Sequence, residues 1–254
     1  MTRRRFTVVA LQIAVLVVMV ALWEVLTRTR IINPFLLAPP SDIAKQVVTW
    51  FASGTIWGDI GVTMFTLGVG YVAGLVGGLI IGMLGGLVAF FGYYFDVFIT
   101  FLNSLPRLVL IPFFIILFGF GNAPGMIVTG LIVIFLVALN TRAAVEDVQG
   151  ELVVNARMLG ANSFHLLTTV YLPGVALSVL SSARLSIGLG FQAAVVAQFF
   201  GSPKGLGFLI AEGQQSYNPT QIYAGIVVTS ILAFVIDVLL GLGGRRAGRW
   251  LPDH

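Results

Sequence analysis

Cysteine is absent from the 254 residues. Disulfides, thiol catalysis and thiolate-ligated metals are therefore excluded. Histidine occurs twice, at His165 and His254, too few and too scattered for an imidazole-built metal site. Charge is also scarce: Asp, Glu, Lys and Arg make up 9% of the chain, against about 25% in a soluble domain. The phosphate-binding pattern G-x4-G-K-S/T does not occur, so nucleotide hydrolysis has no loop to work on here. The apolar stretches hold no H-E-x-x-H, no paired carboxylates and no Ser/His constellation. An intramembrane enzyme is accordingly the weakest of the function classes.

Apolar length is abundant. Hydrophobic residues make up 58% of the chain, and the mean hydropathy is +1.01. A spanning helix needs about 20 apolar residues. Six apolar segments stand out, at 6–26, 61–88, 94–117, 125–141, 175–200 and 221–243, and they fill residues 1–254 as a single membrane domain. The first follows Arg3, Arg4 and Arg5; it is longer than a signal-peptide core and lacks an A-x-A cleavage site, so it reads as a retained span. With both termini inside, the inner side holds Arg3, Arg4, Arg5, Arg142, Arg157, Arg245, Arg246 and Arg249. The outer side holds Arg28, Arg30, Lys45 and Lys204. Eight cations against four satisfy the positive-inside rule. Arginines gathered at span ends, rather than on one face, argue against a nucleic-acid partner; the solvent partner is membrane lipid.

Two connections carry further pattern. Within Thr27–Ile60, Pro39 and Pro40 stop the chain, Ser41 is a candidate cap, and Ile43, Val47 and Trp50 recur at helical spacing, which predicts a short amphipathic helix on the outer face. The second span places Gly70, Gly74, Gly78, Gly82 and Gly86 four residues apart. That spacing makes one smooth groove for close approach of another helix.

From Gly61 to Asn140 the charged residues are Asp96 and Arg107 alone. A polar island then spans 142–173, with Arg142, Glu146, Asp147, Glu151, Arg157 and His165. Its pattern predicts a helix over Glu151–Leu159, a left-handed stop at Gly160, a second helix capped by Asn162 or Ser163, and a break at Pro173 before the membrane is re-entered. Val153, Met158, Leu159, Phe164 and Leu167 need cover that water does not give. A loop of this kind offers itself to a soluble partner.

The run Ala156-x3-Gly160-x9-Val170-x-Leu172-Pro173 resembles the cytoplasmic loop of permease subunits in ABC-type importers, whose pattern is E-A-A-x3-G-x9-I-x-L-P. The resemblance extends along the chain. Pro34 with Ala38-Pro39-Pro40-Ser41, Ser104-Leu105-Pro106 with Ile111-Pro112, Phe118-Gly119-Phe120-Gly121, Asn140-Thr141, Arg184-Leu185 and Gly205-Leu206-Gly207 are similar to the sulfonate, taurine and nitrate branch. This chain departs from the pattern at Val154-Asn155, where the family has Glu-Ala, and at Ala197-Gln198, where the branch often has Ala-Glu. Glu151, one turn earlier than the missing acid, is the candidate substitute.

The resemblance implies an all-α membrane protein with the type I ABC importer transmembrane fold, about six transmembrane helices and both termini inside. It implies a homodimer, two cytoplasmic ATPase subunits, and an extracytoplasmic solute-binding protein that delivers a small, anionic organic solute. ATP and Mg would sit on the ATPases, with no cofactor bound by this chain. Glu151, Asn155, Ala156, Arg157, Gly160, Ala161, Asn162, Ser163, Phe164, His165, Leu172 and Pro173 would form the ATPase-coupling surface. His165 reads as packing against a neighbour rather than as a pH switch.

Polar residues inside spans are pathway candidates. Arg107, with Asn103 and Ser104 nearby and Pro106 breaking the helix beside it, either meets an anionic solute or pairs with Asp96, about three turns away. Gln192 and Gln198 line the route or bond neighbouring helices, and the second reading suits Gln198 better. Arg184 reads as a structural ion-pair partner near the inner surface, and Asp237 as pairing or snorkelling. A self-sufficient secondary transporter or channel is the alternative class. It would need coupling-ion sites or an inverted repeat, and neither is evident.

Overall fold

A computed structural model of the chain describes residues 2–148 and 150–247. The side chains of Arg3, Arg4, Arg5, Asp96, Asn103, Ser104, Arg245 and Arg246, with all of Arg249 and His254, lie outside the described residues. All regular structure among the described residues is helical. That is the expected solution for chain in lipid, where each backbone N–H and C=O must be satisfied within its own segment. The order is α1 Thr2–Arg28, α2 Pro40–Ser53, α3 Ile56–Leu87, α4 Ala89–Ser104, a 3-10 turn Arg107–Leu110, and α5 Ile111–Phe118. There follow α6 Ala123–Glu146, α7 Gly150–Met158, α8 Ser163–Leu166, a π turn Leu167–Tyr171, α9 Leu172–Gly201, α10 Leu206–Gln215 and α11 Pro219–Ala247.

Among the described residues, five stretches are long and apolar enough to cross a membrane: Ala10–Arg28, Ile56–Leu87, Ala123–Glu146, Ser163–Gln215 and Pro219–Leu240. The stretch read as one span over 94–117 is shared by α4 and α5 instead. Pro106, at φ −71° and ψ 89°, leaves the helical region, and its missing N–H ends the ladder there.

The centre of the bundle is the pairing of α3 with α6. The glycine groove of α3 receives a ridge of β-branched residues from α6, in parallel register. A Cβ added at Gly74 would stand 2.6 Å from the Val133 Cβ, one at Gly78 2.7 Å from that of Val137, and one at Gly82 2.6 Å from that of Thr141. Gly70 meets Thr129 at 2.8 Å and Gly86 meets Val145 at 2.7 Å in the same way. Stiff β-branched side chains thus lie directly on backbone, and dispersion replaces the hydrophobic drive that lipid does not supply. Beside this seam α6 also packs against α9, where Thr129 Oγ1 donates to the Gly190 carbonyl at 3.2 Å.

The end of the bundle opposite the polar island is tied by side chains. The amphipathic helix expected after Pro39-Pro40 is α2, but Ser41 does not cap it. Pro39 holds the cap position without a side-chain hydrogen bond. The Ser41 N–H donates to Glu24 Oε2 at 3.0 Å and its hydroxyl to Glu24 Oε1 at 2.7 Å. A carboxylate from α1 therefore satisfies the first turn of α2, where unpaired N–H groups favour an anion. Arg28 completes the tie, bonding Glu24 at 2.9 Å and Asp42 at 2.8 Å.

Candidate functional site

The island folds as a helical hairpin. α7 ends in a Schellman turn: the Gly160 N–H donates to the Arg157 carbonyl at 2.9 Å and the Ala161 N–H to that of Ala156 at 3.0 Å. Gly160 sits at φ +88°, a conformation that a Cβ disfavours. Asn162, extended at ψ 172°, caps α8 by accepting from the His165 N–H at 2.8 Å.

Pro173 does not break the chain. The Leu172 N–H reaches back to the Leu167 carbonyl, a five-residue step, and α8, the π turn and α9 continue as one rod. The widened turn before Pro173 accommodates the ring and its missing donor, so the helix survives where an α turn would clash.

The hairpin leaves large apolar side chains uncovered. Leu159 is 90% exposed, Met158 74% and Phe164 73%; Leu152 and Val154 are exposed beside them. Leu166 turns inward, at 5%; of the residues expected to need cover, Val153 and Leu167 are half-buried, Leu167 against the Met83 and Val175 cluster. Between the two arms lies a cleft of about 400 Å³ walled by Ala156, Gly160, Ala161, Asn162, His165 and Val170. His165 is exposed on that wall, without the packing neighbour expected of it within the chain. Glu151, Asn155, Arg157 and Ser163 are exposed around the rim, and Leu172 and Pro173 at the base.

The pathway candidates divide. Arg107 opens the 3-10 turn after Pro106 and holds its guanidinium 5.0 Å from the centroid of the Phe135 ring. It shares a cleft of about 370 Å³ with Gln192, Leu189 and Ile132. Gln198 is elsewhere, 1% exposed, in a polar knot at the start of α10. Thr63 Oγ1 lies 2.8 Å from Gln198 Oε1, and the Gly207 N–H donates to the same oxygen at 3.4 Å. The Gly205 N–H donates to Asp59 Oδ1 at 2.8 Å and the Leu206 N–H to Thr63 Oγ1 at 3.0 Å. Three N–H groups at the head of α10 are thus met by side chains of α3 and α9. Asp59, Thr63 and α10 itself escaped the sequence reading; Gly205-Leu206-Gly207 ahead of an apolar run was the available signal. The ion pair expected of Arg184 is not formed with any described residue. Arg184 and Asp237 are both exposed on a cleft of about 450 Å³.

These features define a helical protein with several membrane-length stretches and a hairpin of exposed apolar side chains. Residues 74–249 match the family model described as the binding-protein-dependent transport system inner membrane component, and the chain belongs to that family. It is an inner-membrane permease subunit of an ABC importer and not itself an enzyme. Permeases of this family work with ATPase subunits and a binding protein.

The chain is 27% identical over 247 residues to the taurine transport system permease protein TauC of Escherichia coli strain K12, covering 95% of this chain and 90% of that protein. It is 27% identical over 237 residues to the putative aliphatic sulfonates transport permease protein SsuC of Bacillus subtilis strain 168, covering 93% and 86%. In fold it is similar to the inward-facing MetNI methionine ABC transporter, with a TM-score of 0.61 at 19% identity over 78% of this chain and 97% of that one. An amino acid ABC transporter crystallised with histidines gives 0.62 at 16% identity, with the same coverage.

Proposed function

We propose that this permease, as a homodimer, carries small organic sulfonates inward, drawing on ATP hydrolysed by two ATPase subunits docked on the 150–171 hairpin. The observation that carries the coupling is the uncovered apolar hairpin, with Leu159, Met158 and Phe164 exposed around one cleft. No monomer in water gains by presenting such a surface, and a groove on a soluble subunit would cover it. Closure of two ATPases would push on two such hairpins. Because α8, the π turn and α9 form one rod, a push on the hairpin is delivered into the α9–α6–α3 core as a rigid-body movement. ATP and Mg would remain on the ATPases, and an extracytoplasmic binding protein would supply the solute.

For the solute, the support is Arg107 beside Gln192 on one cleft, a guanidinium and an amide suited to sulfonate oxygens, together with relatives named for taurine and aliphatic sulfonates. The test is uptake by the permease reconstituted with its ATPases and binding protein. Deleting Leu152–Leu167 is expected to release the ATPases and abolish ATP-driven uptake, while Arg107→Gln lowers taurine uptake with the ATPases still bound. Solute flux by this chain alone, without ATP, would refute the reading.

A further inference from the structure

Arg184 sits on α9 twelve residues after Leu172, about 18 Å along the helix, within a stretch long and apolar enough to cross a membrane. It is exposed, and it makes no ion pair or hydrogen bond with a described residue. A guanidinium facing hydrocarbon is costly, so charges at this depth face water or protein. The surroundings of Arg184 decide between the two. Ser181, Arg184, Gly188 and Gln192 follow one another by three, four and four residues and are all exposed, which puts them on one face of α9.

This stripe joins two clefts. Its inner end lines the cleft of about 450 Å³ that also holds Asp237. Its other end is Gln192, on the cleft of Arg107. Arg184 and Gln192 are eight residues apart, about 12 Å of helix rise. Tight helix seams in this fold are built from glycine against β-branched residues, as between α3 and α6. A stripe bearing a long cation and an amide has the opposite composition and suits the wall of an aqueous passage.

We propose that Arg184 is a second anion-binding station, inward of Arg107, which receives the sulfonate group as the solute moves along the α9 stripe. Asp237, on the same cleft, opposes the anion and keeps its hold there weak, so that the solute leaves toward the cytoplasm. This rests on the reading of the protein as a sulfonate importer.

The cysteine-free chain allows a direct test in the complete transporter in inside-out proteoliposomes. Single substitutions Ser181→Cys and Gln192→Cys are labelled with anionic sulfonatoethyl methanethiosulfonate and with its cationic trimethylammonium counterpart; Val179→Cys, on another face of α9 and packed against the Met83 and Val175 cluster, is the control. The expected result is reaction at 181 and 192 but not at 179, with the anionic reagent favoured at 181 by about tenfold, and that preference lost in Arg184→Gln. Taurine and ethanesulfonate uptake by Arg184→Gln is expected to fall about tenfold with ATPase activity retained, and Arg184→Lys to recover part of it.

No reaction at 181 with either reagent, or a preference indifferent to Arg184→Gln, overturns the station. So does a charge exchange, Arg184→Asp with Asp237→Arg, that restores uptake, because the two would then be a structural ion pair. If the unaltered transporter carries no sulfonate, the importer reading fails on its own, and the reagent preference still decides whether Arg184 holds anions.

Discussion

The Thr63 hydroxyl and the Gln198 side-chain oxygen stand 2.8 Å apart in the buried interior, joining α3 to α9 at the point where α10 begins. Gln198 Nε2 also reaches Thr66 Oγ1 at 3.5 Å. Removing this amide leaves buried donors and acceptors on three helices without partners, a loss of about 1–3 kcal/mol. Gln198→Ala is therefore expected to lower the thermal unfolding midpoint of the purified permease. Gln198→Glu is expected to be tolerated, since a carboxylate at a helix N-terminus accepts from the same N–H groups and is favoured by the dipole. Equal midpoints for Gln198→Ala and the parent chain would show that the knot contributes nothing.

The α3–α6 seam makes a graded prediction. A Cβ at Gly78 would meet Val137 Cβ at 2.7 Å and the Ile134 carbonyl at 2.8 Å, whereas one at Gly68 meets nothing within 4 Å. Gly78→Ala is expected to destabilise the fold by about 1–3 kcal/mol through overpacking, and Gly68→Ala to be neutral. Adding Val137→Ala rescues Gly78→Ala only in part, because the backbone carbonyl cannot be trimmed. Monodispersity and unfolding midpoints of the three variants and the parent in detergent measure the ordering.

The groove of this seam was legible in the sequence because five glycines at one spacing are conspicuous. Its occupant was not: Thr129, Val133, Val137, Thr141 and Val145 have the same period but vanish into an apolar run. Gly160 and Asn162 act locally, through their own turn and cap, and local chemistry is readable. Ser41 was misread because its partner, Glu24, comes from another helix. Pro173 was misread as a stop because a widened turn, invisible in composition, absorbs it. Gln192 and Gln198 are six residues apart, about 120° round the helix, so they face different neighbours: Gln198 is buried and Gln192 lies on a cleft. The count separates their faces, but which of the two faces is covered is decided by packing.

The turn between α7 and α8 predicts a separation of folding from coupling. Gly160 lies at φ +88° with open space around it, so a side chain there meets strain but no clash. Gly160→Val is expected to cost about 1–2 kcal/mol locally and to distort the hairpin while leaving the membrane core assembled. Gly160→Asn, which tolerates the left-handed region, is expected to behave nearly as the parent. Pull-down of the ATPase subunits by the purified variants reads the difference: weaker for valine, retained for asparagine. A uniform loss of membrane-inserted protein would instead make Gly160 a folding residue.

Phe135 offers the sharpest test of the Arg107 cleft. Its ring is 7% exposed and sits 5.0 Å beneath the guanidinium, so it holds the cation in place without itself reaching the solute. A cation–π contact contributes about 0.5–2 kcal/mol, which corresponds to roughly 2- to 30-fold in apparent affinity. Phe135→Leu preserves most of the apolar volume and removes the ring face. The expected outcome is a rise of that size in the apparent KM for taurine uptake, with ATPase binding and maximal rate little changed. Phe135→Tyr keeps the face and is expected to keep the KM. If Phe135→Leu instead lowers the maximal rate at constant KM, Arg107 is not a solute contact, and the cleft between α9 and the 3-10 turn serves the helix movement alone.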